Sequence, residues 1–417
     1  MATSTDRIPA ERRRDVDFTR ALLVFGLILF HTARIFDVLP FYVKNDEQSL
    51  AFMVLVGFVS QWGMPLFFVI AGFAAYHSLA RRTAGGFVMD RIRRLMVPFV
   101  FGILVLVPPQ HYYSLRTNPE YHDSYWQFYP SFFRVVFRLD FPEFIRADPA
   151  VGVFGPAHLW FLYYLFAFSI VSLPLFVYFG KGSGQRFVSR LASLSARRGG
   201  IFLLALPVIA VETLVMTEET TGWNRFAYIP FLVCGYLFAA DPRFEQSLRK
   251  YRNIGVVGGV ITVLAFFWIS VRTYQAGIDP SRGFLLESVL WRLLKSCSSY
   301  LWIVAILGWA QNFESRHKKH LSDGAVVDSS TKVAWLSIRA RNFINEAVMP
   351  FYIIHQTLIV VFGFYIVKLR AGLVIKYVLI VAATFLATLF IYAAVRRVSV
   401  TRFLFGMKPA ARMEIAS

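Results

Sequence analysis

Four ionisable residues stand along one apolar stretch near the start of the chain: Asp17, Arg20, His31 and Arg34. In a helix, the eleven steps from Arg20 to His31 bring the two to within about 20° of one face and set them about 16 Å apart along the axis. Asp17 lies three residues before Arg20 and Arg34 three after His31, so an acid, a guanidinium, an imidazole and a second guanidinium share one stripe. An imidazole can take or give a proton near neutral pH, and guanidinium forks hold phosphates or carboxylates. The structural alternative is that Asp17 pairs with Arg20 at an interface while His31 hydrogen-bonds a neighbouring helix. Alignment of all four favours chemistry, because a charge at mid-membrane costs on the order of 3 kcal/mol on insertion scales. Glu212 is a further candidate, on its rarity inside an apolar run.

The elements that must position these residues are membrane helices. Of 417 residues, 57% are hydrophobic and 17% charged, and the mean hydropathy is +0.53; a soluble protein carries about 25% charge. Runs of about 20 apolar residues fall near 18–39, 50–77, 95–110, 157–179, 200–217, 225–240, 254–271, 297–312, 345–366 and 374–395. The expected fold is therefore all-α, a polytopic bundle of about ten transmembrane helices in one domain. The first run lacks a small-residue cleavage pattern and reads as a retained span. Cys234 and Cys297 have no partner spacing and read as packing residues, and no metal site is expected.

A net charge of +19 in a soluble protein would point to nucleic acid. Here the basic residues cluster between apolar runs, at Arg12 to Arg14, Arg91 to Arg94 and Arg197 to Arg198, which is how positive charge orients membrane proteins. No nucleic-acid partner is expected. The pattern puts both termini in the cytoplasm, with a short N-terminal segment 1–17, a membrane domain 18–395 and a basic tail 396–417. An aromatic external loop spans about 111–156, within which 131–139 is a candidate interfacial amphipathic helix and the remainder a candidate lid, an aromatic belt at the headgroups being the alternative; 313–340 reads as an internal polar loop.

Five motifs in order resemble the integral-membrane acyltransferases of the acyltransferase-3 type, including the OpgC-like glucan-modifying branch. They are Asp17-x-x-Arg20 followed by His31, LFFVIAGF at 66–73, the FxxxRxxRLxxP pattern from Phe87 to Pro98, HLWFL at 158–162 and YIIHQ at 352–356. Ala71 departs from the serine common in the family. The resemblance implies ten core helices, a cytosolic acyl-CoA donor (acetyl-CoA or succinyl-CoA) and a carbohydrate acceptor across a bacterial inner membrane. Acyl transfer needs a base near neutrality, cations for the donor's phosphates and a water-poor passage. His31 is the candidate base or acyl carrier, with Arg20 and Asp17 beside it, and Arg20, Arg91, Arg93 and Arg94 are candidates for the donor's phosphates. Arg34, His158, Trp160, Glu212 and His355 are the expected acceptor-side residues. Topological charge alone is the competing explanation for the Arg91 to Arg94 run.

A proton-coupled transporter shares the vocabulary of polar stripe and broken helix, but the sequence shows no pair of Gly/Pro-interrupted segments in corresponding halves. O-acetylation and succinylation stay equally open, because one pocket cation decides whether a second carboxylate is tolerated. A homo-oligomer is likewise left open.

Overall fold

Backbone N–H and C=O groups have no water to bond in lipid, so long apolar runs fold as helices that satisfy themselves. The computed structural model describes residues 14–150, 152–215, 217, 219–322 and 330–408, with the side chains of 314–341 excepted. The elements in chain order are α1 (Arg14–Phe36), α2 (Leu50–Leu79), α3 (Ala84–Leu115), α4 (Tyr125–Phe132), β1 (Val135–Phe137), β2 (Ile145–Ala147), α5 (Ala157–Val171), α6 (Leu173–Phe179), α7 (Gly182–Ala196) and α8 (Gly200–Leu214). There follow β3 (Glu219–Thr220), β4 (Trp223–Asn224), α9 (Arg225–Ala240), α10 (Pro242–Gln275), α11 (Leu286–Ser322), α12 (Ser330–Ile366), α13 (Leu373–Val395) and α14 (Ser399–Leu404). Among the described residues seven helices are long and apolar enough to cross a membrane, eight if α5 and α6 form one broken span. The shorter apolar α8 and α9 occupy the remaining two expected runs. The fold is an all-α polytopic bundle.

Several boundaries differ from the sequence reading. The third run is longer than expected and carries a π turn at Ile92–Met96; Pro98 has no N–H to return to Arg94, which loosens the ladder there. The eighth helix begins at Leu286 rather than near 297, so Arg292 and Lys295 lie inside it. Backbone helix extends through Ser322 and resumes at Ser330, where a polar loop was expected. The expected amphipathic helix over 131–139 does not form. The helix there is α4, closed at its start by a Ser124/Gln127 capping box, and Val135 to Phe137 instead pair antiparallel with Ile145 to Ala147. Two β-branched valines and a phenylalanine suit that extended pairing. The basic tail beyond residue 408 lies outside the described residues, as do Arg12 and Arg13.

The chain divides into two units. One holds the chain up to Arg20, Ser60–Ala84 and Ser172–Trp335. Within it α2 and α9 approach closely at glycines: a Cβ on Gly72 would stand 2.1 Å from the Leu232 carbonyl, and one on Gly235 would stand 1.9 Å from that of Val69. Small residues let membrane helices meet backbone to backbone. Phe68 stacks on Tyr228 at 4.6 Å and Phe176 on Tyr236 at 4.3 Å.

The other unit holds Ala21–Val59, Gly85–Val171 and Leu336–Ser417. Its axis is α12, 78% of whose apolar window is buried. Phe25 of α1 meets Phe351 of α12 edge-on at 4.9 Å, and Phe385 of α13 closes the group. Arg402 of α14 reaches Glu346 of α12 at 2.5 Å, and the Tyr392 hydroxyl donates to the same carboxylate at 3.0 Å.

Candidate active site

Three imidazoles from α1, α5 and α12 converge inside this second unit. The His31 and His355 rings lie 5.3 Å apart, and those of His158 and His355 5.0 Å apart. His355 is fully enclosed and His158 is 5% exposed, whereas His31 is only partly covered. Carbonyls only accept, so the hydrogen-bond partners fix two tautomers. His355 donates from Nδ1 to the carbonyls of Phe351 at 3.0 Å and Tyr352 at 2.8 Å. His158 donates from Nε2 to the Ile353 carbonyl at 3.0 Å. Each ring then keeps one lone pair, on His355 Nε2 and His158 Nδ1, and both atoms are buried without a hydrogen-bond partner, as is His31 Nδ1.

Local sequence explains these placements. His158 follows Pro156 and Ala157, and Ala157 sits at φ +48°, a left-handed conformation that is costly for a residue with a Cβ and that turns the chain sharply into α5. The Tyr352 hydroxyl donates to the His158 carbonyl, tying that turn to α12. Trp160 is buried two residues on, its ring edge-on to Tyr164 at 5.2 Å. Pro350 precedes His355 by five residues within the helix.

Arg34 is held away from free service. Its guanidinium donates to the buried Asp37 at 2.6 Å and to the Pro40 carbonyl at 2.7 Å, and Lys44 pairs with the same carboxylate at 2.9 Å. One carboxylate between two cations leaves one positive charge in excess there. Burial, opposed by Asp37, pulls the Lys44 ammonium below its ordinary range. Burial also pushes the nearby Tyr42 phenol up to about 12. Phe41 lies 6.4 Å from His31 in a near-parallel stack and 5.6 Å from the Arg34 guanidinium, so Arg34 borders the histidines through an aromatic ring.

The remaining sequence candidates stand elsewhere. Arg20 pairs with Asp17 at 3.2 Å at the start of α1. Arg91 is buried with its guanidinium over the Phe87 ring at 4.8 Å, Arg94 pairs with Asp90 at 3.0 Å and Arg93 is exposed. Arg91 immediately precedes the π turn, and Arg93 and Arg94 lie within it. Glu212, expected on the acceptor side, belongs to the first unit, where it forms a buried ion pair with Lys295. Glu219 lies 3.3 Å from the same ammonium, and the Trp291 ring 4.1 Å. This pairing escaped the sequence reading because Lys295 was placed outside the eighth span.

Sequence reasoning also missed the buried Gln110, Gln356 and Thr357. Gln356 falls inside YIIHQ, but it does not titrate and was passed over beside His355. Among the described residues no group of three or more His, Cys, Asp or Glu is arranged to hold a metal ion.

The arrangement suits proton transfer by imidazoles in enclosed surroundings, with guanidinium groups clustered at a separate helix turn. The acyltransferase-3 family model, described as an acyltransferase domain, matches residues 13–394. Glucans biosynthesis protein C of Salmonella paratyphi A and the proteins of the same name from Salmonella agona and Salmonella dublin are each 22% identical to the chain over 431 residues, covering 98% of it and 98% of themselves. No solved structure matches. Seven or eight helices among the described residues long and apolar enough to cross a membrane, the convergent histidines and a family match over nearly the whole length agree: this chain belongs to the acyltransferase-3 family of membrane acyltransferases.

Proposed function

We propose that the protein takes an acyl group of the acetyl or succinyl class from cytosolic acyl-CoA and passes it to a hydroxyl of an extracytoplasmic glycan or glycolipid, at a bacterial inner membrane. The observation that carries this reading is the convergence of His31, His158 and His355, two of them with tautomers fixed by backbone carbonyls. The names of the relatives support a glucan as acceptor. His31, the partly covered ring, is the base: it removes the proton as the acceptor oxygen attacks the thioester carbonyl, the C–O bond forms, the C–S bond breaks, and the proton leaves with the CoA thiolate. His355 and His158 orient it and keep its surroundings neutral and dry. Arg91, Arg93 and Arg94 supply guanidinium groups for the donor's phosphates; Arg20, oriented by its partner Asp17, is a separate donor contact. Arg34, through Phe41, and Trp160 border the acceptor end; Glu212, paired with Lys295, has a structural part.

Purified protein in lipid nanodiscs, given acetyl-CoA or succinyl-CoA and a linear gluco-oligosaccharide, should release free CoA thiol and yield an ester on the oligosaccharide. If no thiol is released with either donor while the same protein in sealed vesicles carries a solute across with protons, the protein is a transporter and the reading fails.

A further inference from the structure

Gln110, Gln356 and Thr357 are buried in the second unit and joined by hydrogen bonds that run in one direction. The Leu106 carbonyl can only accept, so the Thr357 hydroxyl donates to it, at 2.6 Å. With its proton committed, Thr357 Oγ1 accepts from Gln110 Nε2 at 2.9 Å. That orientation turns Gln110 Oε1 toward Gln356, whose Nε2 donates to it at 3.1 Å. Both carboxamides are thereby fixed, because reversing either would set like groups against each other. The relay ends on Gln356 Oε1, which is buried without a hydrogen-bond partner. One residue earlier, His355 Nε2 is buried and equally unpartnered. Both atoms only accept in the forms described, so a molecule bound against them is received through its O–H or N–H groups.

An acceptor hydroxyl and the amide N–H groups of the CoA pantetheine arm are both of this kind. The position of the relay favours the first. Gln110 and the arginine turn stand at opposite ends of α3, and sixteen residues of helix from Arg94 to Gln110 span about 24 Å. Gln110 is instead two residues from Tyr112, which meets Tyr121, Tyr125 and Phe128 edge-on or tilted at 5.4 to 6.5 Å; aromatic faces of this kind suit the apolar faces of sugar rings.

We propose that Gln356 Oε1 receives a hydroxyl of the acceptor, held in that orientation by Gln110 and Thr357, and that this bond selects polyhydroxyl acceptors. The proposal rests on the acyl-transfer reading above. It makes Gln356 a binding residue, and Thr357 a positioning residue that acts through it.

The test uses the full chain in nanodiscs with acetyl-CoA and succinyl-CoA as donors and a linear gluco-oligosaccharide as acceptor. Gln356→Leu should lower kcat/KM for the oligosaccharide by about tenfold or more, with KM for acyl-CoA within about twofold of the parent. Thr357→Val should give a smaller loss of the same kind, and Thr357→Ser, which keeps the hydroxyl, should restore the parent values. A raised KM for acyl-CoA with unchanged oligosaccharide kinetics assigns the group to the pantetheine amides and overturns the proposal. So does a fall in thermal midpoint shared by Thr357→Ser, which marks the relay as packing alone. Absence of transfer by the parent protein would defeat the acyl-transfer reading itself, and this proposal with it; transfer by the parent with unaltered Gln356→Leu kinetics defeats only this one.

Discussion

His158 and His355 lie ring to ring, centroids 5.0 Å apart and planes at 79°, and each gives its ring proton to the backbone of one α12 stretch, Phe351 to Ile353. A single helix thus dictates which nitrogen of each ring carries a lone pair. His31, from α1, meets this pair as the ring with access to its surroundings.

The buried pair of Glu212 and Lys295 makes a prediction independent of the histidines. Removing Lys295 leaves Glu212 enclosed and without its cation, so Lys295→Met should cost about 3–5 kcal/mol of stability; Glu212→Gln should cost less, because Glu219 stays 3.3 Å from the ammonium. The double variant should recover a substantial part. Thermal unfolding of the four proteins in detergent checks this, and additive losses would contradict the pairing.

At the meeting of α2 and α9 there is no room for a side chain. Gly235→Ala would drive a Cβ to 1.9 Å from the Val69 carbonyl, and because that neighbour is backbone the helices must separate, at a cost of at least about 1–3 kcal/mol. Gly26→Ala, where a Cβ meets nothing within 4 Å, should leave the thermal midpoint near the parent value. A Gly235→Ala protein as stable as Gly26→Ala would show that the close approach is not needed.

How far the sequence foretold this architecture depends on what each residue contributes to hydropathy. All ten apolar runs coincide with helices, since length and apolarity suffice to specify a span. The eighth was started too late because Arg292 and Lys295 depress its first turns; the fold satisfies them with the Gly283 carbonyl and Glu212. The π turn at Ile92–Met96 leaves no periodic mark, although Pro98 hinted at a weakened ladder. Asp37, three residues past Arg34, could have been suspected of capturing it. His31 was singled out by its polar stripe and His158 and His355 by the family motifs as acceptor-side residues; the meeting of the three rings was not foreseen, because spacing along a chain says nothing of distance between helices. Gln110 was invisible for the same reason.

Arg20→Lys should weaken acyl-CoA binding about tenfold or more, because a planar fork matched to phosphate or to Asp17 becomes a point charge. Equilibrium binding of acetyl-CoA to the purified variant measures it; unchanged affinity would leave Arg20 as an orientation charge paired with Asp17.

The most direct measurement combines sidedness with His31. Protein is reconstituted in sealed vesicles whose orientation is reported by single cysteines at Arg82 and Asp123, expected to react with an impermeant thiol reagent from opposite sides. Labelled acyl-CoA is placed only on the Arg82 side and the gluco-oligosaccharide only on the Asp123 side. The parent protein should deliver label to the oligosaccharide across the membrane, and His31→Gln, which keeps hydrogen bonding but cannot take a proton near pH 7, should deliver it about 100-fold more slowly or not at all. Equal delivery by His31→Gln, or label reaching the oligosaccharide only when both substrates share one side, would contradict transfer through the histidine cluster.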